Sequence, residues 1–546
     1  MGLVTQFKRY RSLGILLIGL CLPVLANAQA MFGDVLQTLK QGSMPDKELA
    51  ITELAETGNP RALIILQALL DGNLFEAKAN GQLVIGHEQN QVFSLTDAAG
   101  GEPAGNLDRD AISKINLTNK LRTLLRKTVG QLELSAGDPS VRLAAVKAMA
   151  KETDGKVLEL LQQRLKDEQD KDVKQAIRLV FLLQDTHSDH PKAVRINAIE
   201  ALKAYNSQEV LNQMKAMVEK DNEGQFLELD PDVRNLAAAA LIKINHRLQF
   251  YSAIETLFFG LSLGAVLVLA AIGLAITFGV MGVINMAHGE LMMLGAYTTY
   301  VMQQLMPNNL GMSVILAIPA AFVISALVGI AIERGIIRFL YGRPLETLLA
   351  TFGVSLFLQQ TVRSIFSPLN RSVATPDWMS GSLQINDFLS LTWNRFYILL
   401  FCLMVFVALL QILKHTRLGL EVRAVAQNRT MAKAMGIPTA RVDAMTFGLG
   451  SGIAGVAGVA LSQITNVGPN LGQAYIVDSF MVVVFGGVGN LLGTLVAGFT
   501  LGIANKFLEP FSGAVLAKIF ILVFIILFIQ KRPRGLFPQK GRAAEI

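Results

Sequence analysis

Two patterns of hydrophobic and polar positions divide the chain near residue 250. Before that point, apolar residues recur at amphipathic helical spacing among many charged residues, and from about residue 253 onward long apolar runs dominate. These runs lie at approximately 254–279, 283–305, 311–333, 346–365, 396–413, 444–465, 474–508 and 514–530. We therefore expect an all-α protein in which a helical domain precedes a polytopic membrane domain at 251–537.

The first residues have the pattern of a secretory signal peptide. Three basic residues precede a short apolar stretch at 13–25, and the small residues Ala26 and Ala28 fit cleavage after the second of them. An uncleaved membrane anchor is the alternative. With 1–28 as the signal, the domain at 29–250 is predicted to be exported.

Composition agrees with a membrane protein. Hydrophobic residues make up 52% of the chain and the mean hydropathy is +0.43, above the soluble average. The net charge of +7 requires no nucleic-acid partner, because the Lys and Arg residues of the second half cluster in loops and the tail, as positive-inside topology predicts. The lipid bilayer is the expected surrounding, with the tail at 538–546 in the cytoplasm. Only Cys402 stays in the mature chain, which excludes an intramolecular disulfide.

The seventh apolar run is interrupted by glycines. Its middle reads Phe485-Gly-Gly-Val-Gly-Asn490, and glycine at this density breaks helix regularity. An exported N-terminus and a cytoplasmic tail require an odd number of crossings. We expect about eight to nine spans. Either this run crosses the membrane twice, which gives nine spans, or another run re-enters the membrane without crossing it.

The exported domain contains a repeated helix motif. Its copies begin at Val141-Arg142, Val194-Arg195 and Val233-Arg234, and each continues with alanines at three-residue steps. Asp138-Pro139 and Asp230-Pro231 precede two copies, where Asp is placed to cap and Pro to begin a helix. The pattern resembles HEAT-like α-solenoid repeats, in which helix pairs stack on their neighbours. An unrelated amphipathic helical domain is the alternative.

The exported domain shows no sequence signal of a catalytic or metal site. Residues 81–106 contain two short β-like runs and a glycine-rich stretch, which predict a hairpin and a loop. The sequence shows no metal-ligand cluster and no grouping of nucleophile, base and acid. We expect no catalytic residues, no metal and no cofactor, and a docking or structural role for this domain.

A polar, basic segment from Leu413 to Ile437 lies between two apolar runs, and basic segments accumulate on the cytoplasmic side of a membrane. Its Ala424, Ala432 and Gly436 are similar to the EAA…G loop of ABC importer membrane subunits. An ordinary basic loop between two spans is the alternative. The resemblance implies ATPase contacts at Glu421, Arg423, Ala424, Gly436 and Ile437.

A longer motif indicates the family that the membrane half resembles. From Asn285 to Tyr297 the chain reads Asn-Met-Ala-His-Gly-Glu-Leu-Met-Met-Leu-Gly-Ala-Tyr, which closely resembles the signature of branched-chain amino acid and amide ABC importer permeases. The resemblance extends over about 255–537. Further matching motifs begin at Leu348, Arg423, Ala454 and Phe485.

This resemblance implies a transporter subunit rather than an enzyme. Its partners would be a second related permease, cytoplasmic ATPase subunits and a periplasmic substrate-binding protein. The chain would be a multi-pass protein of the bacterial inner membrane, with a periplasmic N-terminal domain and a cytoplasmic C-terminus. The sequence lacks a Gly-x4-Gly-Lys-[Ser/Thr] loop, so ATP hydrolysis would come from separate chains. A non-ABC secondary transporter or channel for small amides is an alternative.

The exported domain of about 220 residues departs from most permeases of this family and resembles the urea importer's permease subunits within it. The resemblance implies urea or a similar short amide as substrate, with branched-chain amino acids as the alternative. A small neutral solute needs polar groups but no fixed counter-charge along its path. The candidate pathway residues are Asn285, His288, Glu290, Thr351 and Gln359.

Four acidic or basic residues of the membrane half have a simpler interpretation. His288 and Glu290 could also end a span or pair with each other. Asp443 and Asp478 lie at the boundaries of apolar runs, and we expect interfacial solvation to account for both.

Overall fold

The computed structural model describes residues 32–89, 92–150 and 155–537. The predicted signal peptide at 1–28 and the tail at 538–546 lie outside the described residues. The described chain forms two compact units, and the main division between them falls after Ala240.

The first unit begins with three helices and a five-stranded antiparallel sheet. Helix α1 covers 32–41, and it is followed by α2 (Met44–Glu56) and α3 (Pro60–Asp71). The sheet has the strand order β4-β3-β2-β1-β5. Its strands are β1 (Leu74–Ala77), β2 (Leu83–Gln89), β3 (Val92–Asp97), β4 (Pro103–Asp108) and β5 (Ile112–Lys114).

The predicted hairpin is the β2–β3 pair, in which Ile85 lies opposite Thr96. The sheet contains three further strands, β1, β4 and β5. They could not be predicted from the sequence, because strands of three to six residues are too short to show a period of two. Alternate residues of β2 serve two cores: Leu83 and Ile85 pack against the helices, whereas Val84 packs against Phe75 and Leu95 on the other face.

The rest of this unit is helical. Its helices are α4 (Asn119–Leu134), α5 (Pro139–Met149), α6 (Gly155–Asp167), α7 (Lys171–Gln184), α8 (Lys192–Leu202), α9 (Gln208–Val218) and the start of α10 (Pro231–Met281). The three copies of the sequence motif lie in α5, α8 and α10. Asp138 caps α5 by accepting a hydrogen bond from Ser140 N, and Asp230 accepts one from Asp232 N at the start of α10.

The motif arginines of α5 and α8 point inward and form equivalent ion pairs. Arg142 binds both carboxylate oxygens of Glu168 at 2.9 and 2.8 Å, and Arg195 binds both oxygens of Glu228. Each glutamate also accepts a hydrogen bond at 3.0 Å from the backbone N–H two residues later, of Asp170 or Asp230. Each arginine is thereby tied to the residue that begins a later helix.

The second unit is a helical bundle. It contains the remainder of α10, followed by α11 (His288–Leu305), α12 (Leu310–Gly335), α13 (Pro344–Phe366), α14 (Trp393–His415), α15 (Arg417–Gln427), α16 (Arg429–Ala434), α17 (Thr439–Ser462), α18 (Leu471–Gly486) and α19 (Leu491–Lys531). A two-stranded ribbon, β6 (Ser382–Asn386) and β7 (Leu389–Thr392), precedes α14. Among the described residues, five helices are long and apolar enough to cross a membrane: α10, α12, α14, α17 and α19.

Small residues allow α11, α12 and α17 to pack closely at the centre of this bundle. A Cβ atom added at Gly455 of α17 would lie 2.5 Å from the backbone oxygen of Ala321 in α12. Gly458 of α17 and Gly295 of α11 similarly face backbone atoms of the opposite helix. Backbone contact of this kind is typical of helix packing inside membranes.

The glycine-rich run is broken as its composition indicates. Helix α18 ends at Gly486 and α19 begins at Leu491, with φ angles of 104° at Gly487 and 78° at Gly489. A second break lies within α19 at Gly513, where φ is 77° and ψ is 162°. These dihedral angles are accessible to glycine and strained for other residues.

Candidate functional site

The first candidate residue, Asn285, lies in the segment between α10 and α11. Helix α10 ends at Met281, and Asn285 is fully buried in the irregular turn that follows. Its side-chain oxygen accepts a hydrogen bond of 3.0 Å from Ala287 N and so shapes the entry to α11. Its Nδ2 donor has no hydrogen-bond partner among the described residues.

Glu290, in the first turn of α11, forms the centre of a buried polar cluster. Its Oε1 accepts hydrogen bonds from Ser355 Oγ at 3.0 Å and Gln359 Nε2 at 2.7 Å. All three residues are 3% exposed or less. Its Oε2 has no hydrogen-bond partner within the described chain. An unpaired acceptor in a closed site is costly, and such atoms mark positions where a ligand, water or proton would be favoured.

Helix α13 supplies the opposite wall of the cluster. Its Thr347, Thr351, Ser355 and Gln359 recur every fourth residue and form one buried polar face. Thr351 Oγ1 accepts a hydrogen bond of 3.1 Å from Met286 N, which ties this face to the turn before α11. Ser355 was not a candidate from the sequence. The four-residue polar periodicity is the signal that would have found it.

His288 lies on a different side of α11. Its Nε2 is 2.9 Å from the carbonyl oxygen of Ala270, and the oxygen can only accept, so Nε2 carries the hydrogen. In the neutral ring Nδ1 is then an acceptor, and no described residue donates to it. The structure therefore brings Glu290 and Gln359 into contact, places Thr351 against the preceding turn, and directs His288 to α10.

Helix α18 closes a further side of the entry to α11. A Cβ atom added at Gly289 would lie 2.5 Å from the backbone oxygen of Gly472 in α18. The two backbones touch one residue away from Glu290. Helix α18 thus supports the turn that precedes the polar cluster.

The cluster offers hydrogen bonds without a metal site. No group of three or more His, Cys, Asp and Glu side chains suitable for a metal ion occurs in the described ranges. In the cluster itself the atom without a partner is Glu290 Oε2; Asn285 Nδ2 in the preceding turn and His288 Nδ1 on the other side of α11 also have no partner among the described residues. A small solute that donates a hydrogen bond would satisfy Glu290 Oε2.

The basic segment forms two short helices, α15 and α16. Val422 and Val425 of α15 are buried together with Ala432 of α16, whereas Arg423 is exposed and donates to Leu413 O. The other candidate contact residues lie at its surface: Gly436 is exposed, and Glu421, Ala424 and Ile437 are half-buried.

Gly436 ends α16 in a left-handed conformation with φ of 87°. Its N–H donates to Lys433 O at 3.1 Å, and Ile437 N–H donates to Ala432 O at 3.0 Å. These are the two hydrogen bonds of a Schellman motif, in which glycine is preferred because it adopts positive φ without steric cost. Local geometry therefore explains the glycine, and its exposed position leaves it available for contact.

The expectation that Asp443 and Asp478 are solvated is wrong. The Asp443 side chain is completely buried in the first turns of α17 and both its oxygens bind the guanidinium of Arg429. Asp478 of α18 is 9% exposed and accepts a hydrogen bond of 2.9 Å from Lys518 of α19. Sequence separation hid both pairs, since the partners are 14 and 40 residues apart.

The membrane half is similar to proteins of known classification. Residues 256–529 match the family described as branched-chain amino acid transport system, permease component. The high-affinity branched-chain amino acid transport system permease protein LivH of Salmonella typhimurium is 31% identical over 299 residues, which cover 53% of this chain and 96% of that protein. No solved structure matches the chain.

Two further relatives show the range of the similarity. The permease protein BraD of Pseudomonas aeruginosa is 28% identical over 298 residues, covering 53% of this chain and 96% of that protein. The ribose import permease protein RbsC of Escherichia coli is 27% identical over 130 residues, or 22% of this chain and 40% of that protein. The family match and the near-complete coverage of LivH agree on one classification. The chain belongs to the family of permease components of branched-chain amino acid ABC transport systems, and it is a multi-pass transporter subunit rather than an enzyme.

Proposed function

We propose that this permease subunit translocates urea or a similar short amide. The observation that carries the proposal is the Glu290–Ser355–Gln359 cluster, which holds one acceptor without a partner. Among the described residues no Lys or Arg side chain is hydrogen-bonded to Glu290, and Arg363, one turn further along α13, acts on it only through its charge. An amide N–H can donate to Glu290 Oε2, while its carbonyl can accept from an amide donor such as Asn285 Nδ2.

A zwitterionic amino acid suits this cluster less well. Its α-carboxylate would require a cation or several donors, whereas the centre of the cluster is itself a carboxyl group. Branched-chain amino acids are nevertheless the second candidate, because the relatives LivH and BraD are named as permeases for them. The first unit lies outside the matched range. The resemblance of such a long extension to that of urea importer permeases favours the short amide.

The proposed pathway includes Asn285, His288, Glu290, Thr351 and Gln359, together with Ser355. The cluster is closed in this structure, since Glu290, Ser355 and Gln359 are 1–3% exposed. Substrate therefore requires a separation of α11 from α13. We propose that separate ATPase chains drive this movement through α15 and α16, with Glu421, Arg423, Ala424, Gly436 and Ile437 as contacts.

The proposed assembly contains a second related permease and a periplasmic substrate-binding protein. We place the subunit in the bacterial inner membrane, with its first unit in the periplasm and its C-terminus in the cytoplasm. The equivalent Arg142–Glu168 and Arg195–Glu228 pairs support a HEAT-like repeat in that first unit. Repeats of this kind present extended binding surfaces, which suits docking of a substrate-binding protein.

The test compares uptake of labelled urea and labelled leucine in cells that lack this gene and carry it again as wild type or as E290Q. We expect wild type to restore energy-dependent urea uptake and E290Q to reduce it by about tenfold or more, since the substitution replaces an acceptor oxygen with an NH2 donor. The matched control is T361A, which removes a hydroxyl elsewhere on α13 that only bonds to Phe357 O.

Each other outcome changes a specific part of the proposal. Restoration of leucine uptake instead of urea uptake would assign branched-chain amino acids as substrate and keep the mechanism. Urea uptake that continues after ATP depletion would indicate a secondary transporter or channel. Equal uptake by E290Q and wild type would remove Glu290 from the pathway.

The coupling role has its own test at Gly436. Replacing Gly436 with Leu strains the positive φ and adds a bulky side chain at an exposed position, so we expect uptake to be lost while membrane insertion is kept. Gly436→Asn is the control, because asparagine tolerates this conformation better than other residues. Normal uptake by G436L would contradict the assignment of this segment as the ATPase contact.

A further inference from the structure

The junction between α16 and α17 contains a buried ion pair that no expected site accounts for. Arg429 is the first residue of α16, and Asp443 lies in the first turns of α17. Arg429 Nη1 is 3.1 Å from Asp443 Oδ1, and Nη2 binds Oδ2. The Asp443 side chain is 0% exposed and Arg429 is 41% exposed. This two-point contact fixes the angle of the guanidinium as well as its distance.

The same guanidinium contacts a third element. Its Cζ lies 4.2 Å from the centre of the Tyr341 ring, in the connection between α12 and α13. A cation over an aromatic face is a favourable and directional contact. Glu333, a buried carboxylate near the end of α12, also interacts electrostatically with Arg429 and Asp443. One arginine of the basic segment is thus held by the start of α17 and by the connection between α12 and α13.

Helix α17 connects this junction to the polar cluster. Its residues Gly450, Gly455 and Gly458 contact the backbones of α10, α12 and α11 without intervening side chains. Close backbone packing transmits displacement, because protein interiors are not compressible. A movement of α16 that pulls on Asp443 therefore shifts α17 against α11, the helix that carries Glu290.

We propose that Arg429 and Asp443 are positioning residues that transmit movement of the basic segment to the transport helices, with the Tyr341 ring keeping the guanidinium in place. This inference rests on the proposed coupling of α15 and α16 to ATPase subunits. It does not depend on whether urea or an amino acid is the substrate.

The experiment separates transmission from simple stabilisation. A single substitution such as R429M leaves the buried Asp443 carboxylate without a partner and would fail for either reason. The double variant R429M/D443L removes both charges and fills the same space, which usually preserves folding. We expect this variant to assemble with its ATPase partners and keep basal ATP hydrolysis, while uptake per assembled complex falls at least tenfold.

R429K provides a second variant with the charge retained. Lysine keeps the attraction to Asp443 but loses the two-point contact and the stacking on Tyr341. We expect intermediate uptake and normal insertion. The control is K433M, which removes a cation from the exposed side of the same short helix. Uptake is measured with whichever of labelled urea and leucine the wild-type complex carries.

Wild-type uptake by R429M/D443L would overturn the inference, because an ion pair with only a structural role can be replaced by apolar packing. If that variant were not recovered in the membrane, full uptake by R429K per assembled complex would overturn it equally. Failure of the coupling proposal itself is distinguishable, since G436L would then transport normally while the junction is intact.

Discussion

At the residue scale, buried acidic side chains recur in this chain with a basic partner far away in sequence. Glu168 binds Arg142, Asp443 binds Arg429 and Asp478 binds Lys518. A buried charge is stable only when it is paired and its remaining hydrogen-bonding capacity is met. Glu290 differs from these residues, since only neutral Ser355 and Gln359 donate to it. That contrast is why we assign transport to Glu290 and structural or positioning roles to the others.

Glu168 makes the stability of the first unit dependent on pH. Hydrogen bonds from Arg142 lower the pKa of this carboxyl from 4.5 to about 2, against the opposing effect of burial. A lowered pKa in the folded state stabilises the protein above pH 4.5, and the stabilisation disappears as the pH falls from 4.5 to about 2. The difference corresponds to about 3 kcal/mol.

We expect hydrogen exchange of the peptides that cover α5–α7 to increase across this pH window, after correction for intrinsic rates. E168Q should exchange faster at neutral pH and lose the pH dependence. The control E159Q changes an exposed glutamate of α6 and should behave as wild type. An unchanged pH profile in E168Q would contradict this account.

The pair between Asp478 and Lys518 should tolerate reversal. D478N leaves Lys518 without its 2.9 Å contact. Because Lys518 is half exposed, we expect a loss of about 1–3 kcal/mol rather than the larger cost of breaking a fully buried pair. The swap D478K/K518D should recover most of the loss. The measurement is the thermal stability of the purified complex, and a swap no more stable than D478N would show that the attraction contributes nothing.

At the element scale, the contact between α11 and α18 depends on glycine at both positions. Gly289 and Gly472 bring the two backbones together beside Glu290, and an added Cβ at Gly289 would lie 2.5 Å from a backbone oxygen. Backbone cannot move aside as a flexible side chain can. Helix α18 therefore has a defined role, which is to support the turn where the proposed pathway residues lie.

We expect G289A to force α11 and α18 apart and to lower uptake by about tenfold or more. The control is G353A. Gly353 has a helical backbone in α13, and a Cβ atom added there would have no other atom within 4 Å. G353A should raise helix stability by up to about 1 kcal/mol. Uptake by G289A equal to that of G353A would show that the close approach is unnecessary.

At the scale of the whole molecule, the permease half corresponds to nearly the entire length of the relatives LivH and BraD. LivH is matched over 96% of its length by 53% of this chain. The first unit is therefore an addition to a permease of ordinary extent. Its described residues form hydrophobic cores of their own: one between the helices and the sheet, one on the other face of the sheet and one within the helical repeats.

We expect deletion of residues 31–230, with the signal region retained, to leave a permease that inserts and transports at saturating substrate. The half-saturation concentration should rise about tenfold if the first unit docks the substrate-binding protein. The measurement is uptake as a function of substrate concentration, per amount of inserted protein. Lost assembly with unchanged half-saturation in the remaining complexes would indicate a scaffold instead.

Local features of this protein were predictable because they depend on neighbouring residues. Capping by Asp138 and Asp230, the repeated arginine motif and the helix break at Gly487 each follow from short-range geometry. Asn285, Glu290, Thr351 and Gln359 could be selected because a motif marks the turn and polar residues are conspicuous in apolar runs. The family resemblance and the length of the apolar runs predicted the membrane half.

Long-range contacts could not be predicted in this way. Glu290 and Gln359 are 69 residues apart, and their hydrogen bond exists because α11 and α13 are neighbours in the bundle. The direction of His288 toward Ala270, the burial of Asp443 and the addition of three short strands to the hairpin have the same origin. Periodicity determines which face of a helix is apolar, whereas packing determines which helix that face meets. The sequence by itself determined the helix caps, the apolar runs and the family, and the tertiary structure decided which of its charges meet a partner and which remain available to a substrate.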